Sequence, residues 1–375
     1  MRNILVDQKQ SRFLFYIFCS VVLLVLACEP LVYDFEDEEK AQYYTANQVQ
    51  SPLVNPQTIK VVTWNIRFGA GRISWFGDAC GKRVILKEQE VKSNLQQVAD
   101  KISEIQADLV LLQEVDIESK RSAYIDEVQW LLNHTQMNYA VYASAWHAQF
   151  IPSDGLGRMN MGSAILSRWP LKEGKRIALP LRQDQDALTQ YFYLRRNILL
   201  ARIEISNVPN LYIVNVHTAA FSTDDTKEKH IVRFGEKLNE LDTSGVLFIA
   251  GGDLNTLPPG SDKTDYCLED MCSGESFHEP GDDPFHKEGS NFAEEQEILS
   301  GLYAQYQTAV PLEDYQNQQS RYFTHSTNHP DGFWDRKLDY LFTNGSFVLQ
   351  SDSTHQEAVP CSDHAPVSVL WRVPQ

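Results

Sequence analysis

The ten residues VLFIAGGDLN at positions 246–255 decide the fold. The first five are all apolar, which is typical of a β-strand that is buried on both faces of a sheet. Two glycines follow and allow the backbone to approach a ligand closely, and Asp253 and Asn255 then point to the same side of an extended chain. An Asx-rich turn after a strand would contain the same residues, so this segment alone does not establish a binding site.

Polar residues lie at or near the ends of other apolar runs in the same way. They form the segments Trp64-Asn65, Gln113-Glu114, Asn215-Val216-His217, Lys337-Leu338-Asp339-Tyr340 and Ser362-Asp363-His364. In an α/β fold, the ends of buried strands present polar side chains to a ligand. The six segments supply carboxylate, amide and imidazole groups, and we expect them to meet in one pocket.

Helical periodicity separates several of the apolar runs. Apolar residues recur every three or four positions at 91–105 and 226–241, and residues 123–137 form another amphipathic stretch. Strands are predicted at 59–64, 108–112, 139–144, 163–166, 197–205, 211–216, 246–250, 338–342 and 367–371. This alternation predicts an α/β fold. Neither period continues at 257–333, where we expect an insert that contains short helices or forms a lid beside the site.

The N-terminus has the pattern of an export signal, because three basic residues precede an apolar run at 13–27 that is short for a membrane span. The run ends in Val25-Leu26-Ala27-Cys28, which resembles the lipobox of bacterial lipoproteins. That resemblance implies removal of residues 1–27 and acylation of Cys28, which would hold the protein at a membrane, in the outer membrane or at the cell surface. An uncleaved membrane anchor is the alternative.

Residues 28–57 are acidic and lack helical or strand periodicity, so a flexible tether is predicted ahead of a domain at 58–375. The whole chain is acidic too, with a formal net charge of −17. A protein that grips duplex DNA through many phosphates usually has a basic face, so nucleic acid is a disfavoured partner, although a local basic patch is compatible with this charge. We expect a monomer.

The cysteines do not form a recognisable framework. In an oxidising compartment, a local disulfide between Cys267 and Cys272 is an option. A zinc site is not expected, because no CxxC or HxxxH pair accompanies the cysteines.

Glu114 and Asn65 are the candidate metal ligands. Glu114 follows a strand-like run, where a carboxylate needs a partner, and a salt bridge or a helix cap would serve as well as a metal. Asn65 has the same position on a neighbouring strand, and oxygen ligands favour Mg²⁺ or Mn²⁺ over zinc.

Two histidines are the candidate proton donors. Asp339 could orient the imidazole of His364, and His217 could donate to charge that develops on phosphorus. A hydrolase triad built on Ser362 is the competing chemistry, but no GxSxG turn surrounds that serine.

In this order the six segments resemble the endonuclease/exonuclease/phosphatase superfamily, from residue 59 to the C-terminus without 257–333. The resemblance implies a four-layer α/β sandwich, with two mixed β-sheets packed face to face and helices outside. It implies that Glu114 is the principal Mg²⁺ ligand with Asn65 nearby and Asp363 beside the metal. It further implies that Asp253 and Asn255 position the attacking water, that His364 paired with Asp339 contacts the phosphate, and that His217 stabilises the transition state.

The implied function is metal-assisted hydrolysis of a phosphate ester. Thr256 stands near the place where inositol 5-phosphatases have a basic residue, and Arg67 stands where abasic-site nucleases have an acidic one. We therefore expect a phosphodiesterase or phosphatase that acts on an exported small or lipid-linked phosphate. The alternatives are an extracellular nuclease and a non-catalytic surface-binding lipoprotein. Four arginines either contact substrate phosphate or form structural ion pairs: Arg158, Arg168, Arg195 and Arg196.

Overall fold

The computed structural model describes residues 31–77, 80–273, 290–326 and 334–374. The strands, numbered in chain order, are β1 (Glu38–Lys40), β2 (Gln42–Thr45), β3 (Thr58–Asn65), β4 (Leu109–Asp116), β5 (Tyr139–Ile151), β6 (Gly157–Ser167), β7 (Leu171–Ala178), β8 (Asn197–Ile205), β9 (Val208–His217), β10 (Leu247–Asp253), β11 (Gln307–Thr308), β12 (Asp339–Thr343), β13 (Ser346–Phe347), β14 (Ser353–Thr354) and β15 (Val367–Arg372). The α-helices span Glu88–Ile105, Glu127–His134, Ala187–Phe192, Thr226–Thr243, Cys267–Asp270, Ser300–Gln305 and Leu312–Asn317.

The strands form two mixed sheets. One has the order β1-β7-β8-β9-β10-β12-β11, and the other has the order β13-β15-β3-β4-β6-β5-β2, with β14 beside β15. Strands β3 and β4 pair in parallel, as do β9 and β10, whereas the other neighbours are antiparallel. The two strands of each parallel pair therefore end on the same side of their sheet. Most of the polar segments of the sequence lie at these strand ends.

Three apolar clusters hold four layers together. Ile59, Leu111, Ile213 and Ile249 belong to the cluster between the sheets. The helix Glu88–Ile105 packs its apolar stripe on the outer face of β3 and β4, and the helix Thr226–Thr243 covers the outer face of β9 and β10. Each fully buried aliphatic side chain contributes about 1.5–3 kcal/mol by leaving water. The prediction of a four-layer α/β sandwich is confirmed.

One predicted helix is shorter than its amphipathic pattern. The pattern covers residues 123–137, but the helix is Glu127–His134. Ala123 and Tyr124 adopt positive φ angles of 56° and 60°, which a helix does not accommodate. Asp126 caps the helix, since its carboxylate accepts a hydrogen bond from the backbone N–H of Gln129.

The prediction of a flexible tether is wrong for residues 38–45. Strand β1 pairs with β7 at the edge of one sheet, and β2 pairs with β5 at the edge of the other. The two strands have three and four residues, so they are too short for a two-residue period to be visible in the sequence. The predicted signal at 1–27 and Cys28 lie outside the described residues. Among the residues that are described, no helix has the length and apolar composition needed to cross a bilayer.

The insert contains short helices, as predicted. The described parts of 257–333 include Cys267–Asp270, Ser300–Gln305 and Leu312–Asn317. A small apolar cluster of Leu257, Tyr266, Phe292 and Leu338 ties the insert to the segment before β12. Arg336 anchors it further, because its two terminal nitrogens donate to the carboxylate of Asp270 at 2.7 Å each.

The cysteine pairing differs from the expected one. Cys272 forms a disulfide with Cys80, 192 positions away, with 5.2 Å between the Cα atoms. Cys267 is a buried thiol outside this disulfide, at the start of a short helix. The expectation of a Cys267–Cys272 bond relied on closeness in sequence, whereas the fold brings the insert against the loop after β3.

We expect the double substitution Cys80→Ser and Cys272→Ser to lower the free energy of unfolding by about 2–4 kcal/mol, because the unfolded chain gains conformational freedom. Urea unfolding of both proteins with and without dithiothreitol measures the effect. Dithiothreitol should lower the free energy of unfolding of the wild type to that of the variant. It should leave the free energy of unfolding of the variant unchanged. A Cys267–Cys272 crosslink in a non-reducing peptide map would contradict the assignment.

Candidate active site

Side chains from both sheets meet at the ends of the parallel strands. The amide Nδ2 of Asn65, at the end of β3, donates to Glu114 Oε1 on β4 at 3.2 Å and to Asp253 Oδ2 on β10 at 3.1 Å. His217, at the end of β9, places its Nε2 at 3.3 Å from the same Asp253 oxygen. Four of the predicted site residues therefore form one continuous set of contacts.

His364 and Asp339 form an ion pair beside this set. The distance from His364 Nδ1 to Asp339 Oδ2 is 2.8 Å, and Trp64 fixes the backbone by donating from Nε1 to the carbonyl of His364 at 2.8 Å. Burial alone would lower the pKa of His364, but the carboxylates of Asp339 and Asp253 raise it to about 10. The ring is thus an imidazolium at neutral pH.

Asp253 is held between these histidines. Its Oδ2 lies 3.6 Å from His364 Nε2, and its Oδ1 accepts the backbone N–H of Asn255 at 3.0 Å. Burial raises the pKa of Asp253 to about 7, against the opposing effect of His364. A buried carboxyl whose pKa is close to neutrality is suited to accept a proton.

The last residues of β10 require a glycine. Gly252 has a φ of 138°, and a Cβ atom there would lie 1.8 Å from the carbonyl oxygen of Val216. Asn255 has a φ of 45°, and its Nδ2 donates to the carbonyl of Thr218 at 3.2 Å. The turn is an Asx turn, as the plainer interpretation expected, and it also delivers Asp253 into the site.

Glu114 reaches the site through a β-bulge. Its φ is 53°, and the register between β4 and β6 shifts between Leu112 and Val115. Bulges redirect a side chain away from the regular alternation of a strand. Behind it, the carboxylate of Asp116 is bound by Arg121 through two bonds of 2.9 Å, in a fully buried pair.

A buried amide pair joins the sheets below the site. Gln113 Nε2 donates to Asn215 Oδ1 at 2.7 Å, and Asn215 Nδ2 donates to the carbonyls of Leu112 and Ala164. Both side chains are fully buried, so they fix the distance between β4 and β9.

Asp363 lies beside the site, but its carboxylate pairs with the guanidinium of Arg67. Arg67 Nε is 3.2 Å from Asp363 Oδ2, and the backbone N–H of Arg67 donates to Asn65 Oδ1 at 3.0 Å. Ser362 is fully buried, and its hydroxyl donates to the backbone carbonyl of Asn65 at 2.8 Å. This serine secures the loop, and the geometry gives no support to a Ser362 triad.

His325 is a site residue that the sequence did not reveal. Its Nδ1 lies 3.1 Å from His364 Nε2, and burial and the nearby cations lower its pKa well below its usual range. It comes from the insert, and it therefore faces the imidazolium of His364 as a neutral ring. No periodicity or spacing around residue 325 points to this contact.

The predicted arginines separate into two kinds. Arg158 pairs with Glu118, Arg168 with Asp108 and Arg195 with Asp34, which are structural or surface ion pairs. Arg196 is buried and makes no side-chain hydrogen bond or ion pair with any described residue.

The donor set fits a hard divalent cation. Glu114, Asp253 and Asn65 offer carboxylate and amide oxygens, the ligands that Mg²⁺ and Mn²⁺ prefer. Asp339 Oδ1 is a buried oxygen without a partner among the described residues. Asp253, Asp339 and His364 also place ligand atoms within 4.8 Å of one another, but the ion pair between His364 and Asp339 already occupies that group. The amide of Asn65 must turn over to present its oxygen.

Solved structures share this fold. An endonuclease/exonuclease/phosphatase from Beutenbergia cavernae is 16% identical with a TM-score of 0.55, and the match covers 85% of this chain and 72% of that one. The family protein from Leptotrichia buccalis is 17% identical with a TM-score of 0.50, covering 84% and 99% of the two chains. The corresponding protein from Bacteroides vulgatus is 11% identical with a TM-score of 0.50, covering 85% and 100%. Such low identities show the fold alone.

No curated protein matches the chain in sequence. A family model, by contrast, matches residues 62–364, which include every strand end that contributes to the site. Members of that family are hydrolases that act on phosphate esters, and they use divalent metal ions. The chain therefore belongs to the Endonuclease/Exonuclease/phosphatase family.

Proposed function

We propose that this protein is a Mg²⁺- or Mn²⁺-dependent phosphodiesterase or phosphatase that acts on an exported small or lipid-linked phosphate ester. The observation that carries the proposal is the continuous set of contacts from Glu114 through Asn65 and Asp253 to the His364–Asp339 pair. With His217, whose Nε2 lies 3.3 Å from Asp253 Oδ2, this set brings three carboxylates, one amide and two imidazoles together.

Glu114 and Asn65 would hold the metal, with Asp363 beside them. The bound ion supplies Lewis acidity, which polarises the phosphoryl oxygen and stabilises the leaving oxygen. The bulge at Glu114 fixes the backbone of that ligand at the end of β4. Asn65 must first turn its amide over, because its Oδ1 accepts the backbone N–H of Arg67.

The remaining side chains handle protons and charge. Asp253, held by the backbone N–H of Asn255, accepts the proton of the attacking water. The imidazolium of His364 donates from Nε2 to a phosphoryl oxygen, which replaces the contact with His325 Nδ1, while Asp339 keeps the ring charged and oriented. His217 is neutral because burial lowers its pKa, and it still carries one N–H donor. Such fixed donors each contribute roughly 10²–10³ to turnover.

Two features support the exported setting and the substrate class. A disulfide between Cys80 and Cys272 is typical of proteins in oxidising compartments. The net charge of −17 disfavours long nucleic acid as the substrate. Lipidation at Cys28 and attachment to the outer membrane or cell surface belong to the same proposal.

A hydrolysis panel tests the function. The purified protein is incubated with Mg²⁺, with Mn²⁺ or with EDTA. The substrates are bis-p-nitrophenyl phosphate, p-nitrophenyl phosphate, sphingomyelin, inositol phosphates and plasmid DNA. We expect metal-dependent hydrolysis of a diester or monoester without degradation of plasmid. Degradation of plasmid would favour the extracellular nuclease instead. If no ester is hydrolysed with either metal while the metal binds, the non-catalytic surface lipoprotein is favoured.

A further inference from the structure

Among the described residues, Arg196 is the buried arginine whose side chain donates to no protein acceptor. Only 9% of its surface is exposed, and its Nη1 has no partner. Arg67, Arg121, Arg176 and Arg336 are more deeply buried than Arg196, and all donate to carboxylates or carbonyls. A guanidinium withdrawn from water without a partner is unfavourable, so its position calls for an anion from outside the chain.

The location of Arg196 points to the same site. It directly precedes β8, and its carbonyl accepts the N–H of Leu179. Ile198 pairs with Val216, so Arg196 lies at the end of β8 that adjoins His217. Burial lowers the pKa of Arg196, while the charges of Glu114 and Asp253 oppose that effect, and Arg196 in turn lowers the pKa of His217. The lone guanidinium is therefore within electrostatic reach of the candidate metal ligand and the proton acceptor.

We propose that Arg196 is a substrate-binding residue whose guanidinium donates hydrogen bonds to the phosphoryl oxygens of the ester. This inference rests on the proposed function and deepens it. A guanidinium presents parallel N–H groups that match two oxygens of a phosphoryl group, which a single ammonium does not. The phosphoryl group would then lie between Arg196 and the metal ligands, and its negative charge would satisfy the unpartnered donor.

The test compares Arg196→Met, Arg196→Lys and Arg202→Met. Arg202 lies on the same strand, about 20 Å further along by the rise per residue, and pairs with Glu173 at the surface. Calorimetry with inorganic phosphate and the metal-loaded proteins gives the dissociation constants. We expect phosphate binding to weaken at least about 10-fold in Arg196→Met and less in Arg196→Lys, and to stay unchanged in Arg202→Met.

Thermal unfolding separates this role from a structural one. Removal of an arginine with a structural role would lower the melting temperature. In the absence of phosphate, Arg196→Met should instead melt at or above the temperature of the wild type. Phosphate should raise the melting temperature of the wild type and not that of the variant. On the ester that the wild type hydrolyses, kcat/KM should fall roughly 10²–10³-fold in Arg196→Met.

Distinct results would overturn this proposal and the proposed function. Equal phosphate binding by the wild type and Arg196→Met, or no detectable binding by the wild type, would refute the role of Arg196. So would a large loss of thermal stability in Arg196→Met together with normal phosphate binding by Arg196→Lys. Absence of hydrolysis by the wild type would refute the proposed function, while the phosphate measurements would still decide the role of Arg196.

Discussion

Glu114→Ala should abolish hydrolysis, with kcat/KM lowered at least roughly 10³-fold, because it removes the oxygen ligand that we propose as the principal one for the metal. Calorimetric titration should show Mg²⁺ affinity weakened by more than about 10-fold. The fold should survive, since Glu114 is only partly buried and a bulge rather than its side chain sets its backbone. Urea unfolding should therefore give a free energy within about 1 kcal/mol of the wild type.

Glu118→Ala is the matched control. Glu118 lies four residues further on, has the same φ of 53°, and pairs with Arg158 at the surface. It should retain normal activity and metal affinity. If folded Glu114→Ala hydrolyses the ester at a near-normal rate, the assignment of the metal site is wrong.

Asp339→Asn should lower turnover roughly 10²–10⁴-fold, because the amide no longer stabilises the imidazolium of His364. In the wild type, the pKa of His364 is raised to about 10, so this pair stabilises the fold fully below the ordinary histidine pKa and loses that contribution as the pH rises through about 10. The variant should have a lower His364 pKa, and its activity should decline at a lower pH. Rate profiles against pH and NMR titration of the metal-free protein measure both effects.

Asp352→Asn is the matched control for Asp339→Asn. Asp352 is a half-buried carboxyl beyond β12 that does not contact His364. Its pH profile should match that of the wild type. An unchanged His364 pKa in Asp339→Asn would show that Asp339 does not control the charge of the ring.

The sequence was most informative where burial dictates the residue type. The apolar runs before Glu114 and Asp253 correspond to β4 and β10, because a strand covered on both faces must be apolar throughout. The apolar stripe at 91–105 likewise corresponds to a helix, since only one helical face contacts the sheet. Polar residues at the ends of such elements could thus be assigned to a common edge.

Other features depend on contacts that leave no local pattern. His325 reaches His364 from an insert without periodicity, and Cys80 meets Cys272 across 192 positions. The edge strands β1 and β2 associate through backbone groups, which every residue type carries. The lack of partners that distinguishes Arg196 from Arg195 was also invisible, because two adjacent arginines look alike until their surroundings are known.

Strands β1 and β2 limit how far the protein can be shortened from its N-terminus. A fragment starting at residue 58 retains every catalytic candidate but lacks the partners of β7 and β5. Both sheets would then have unprotected edges, whose open N–H and C=O groups recruit strands from other molecules. We expect such a truncation to promote aggregation even though it retains the site residues. Residues 38–45 would therefore protect the two sheets against self-association.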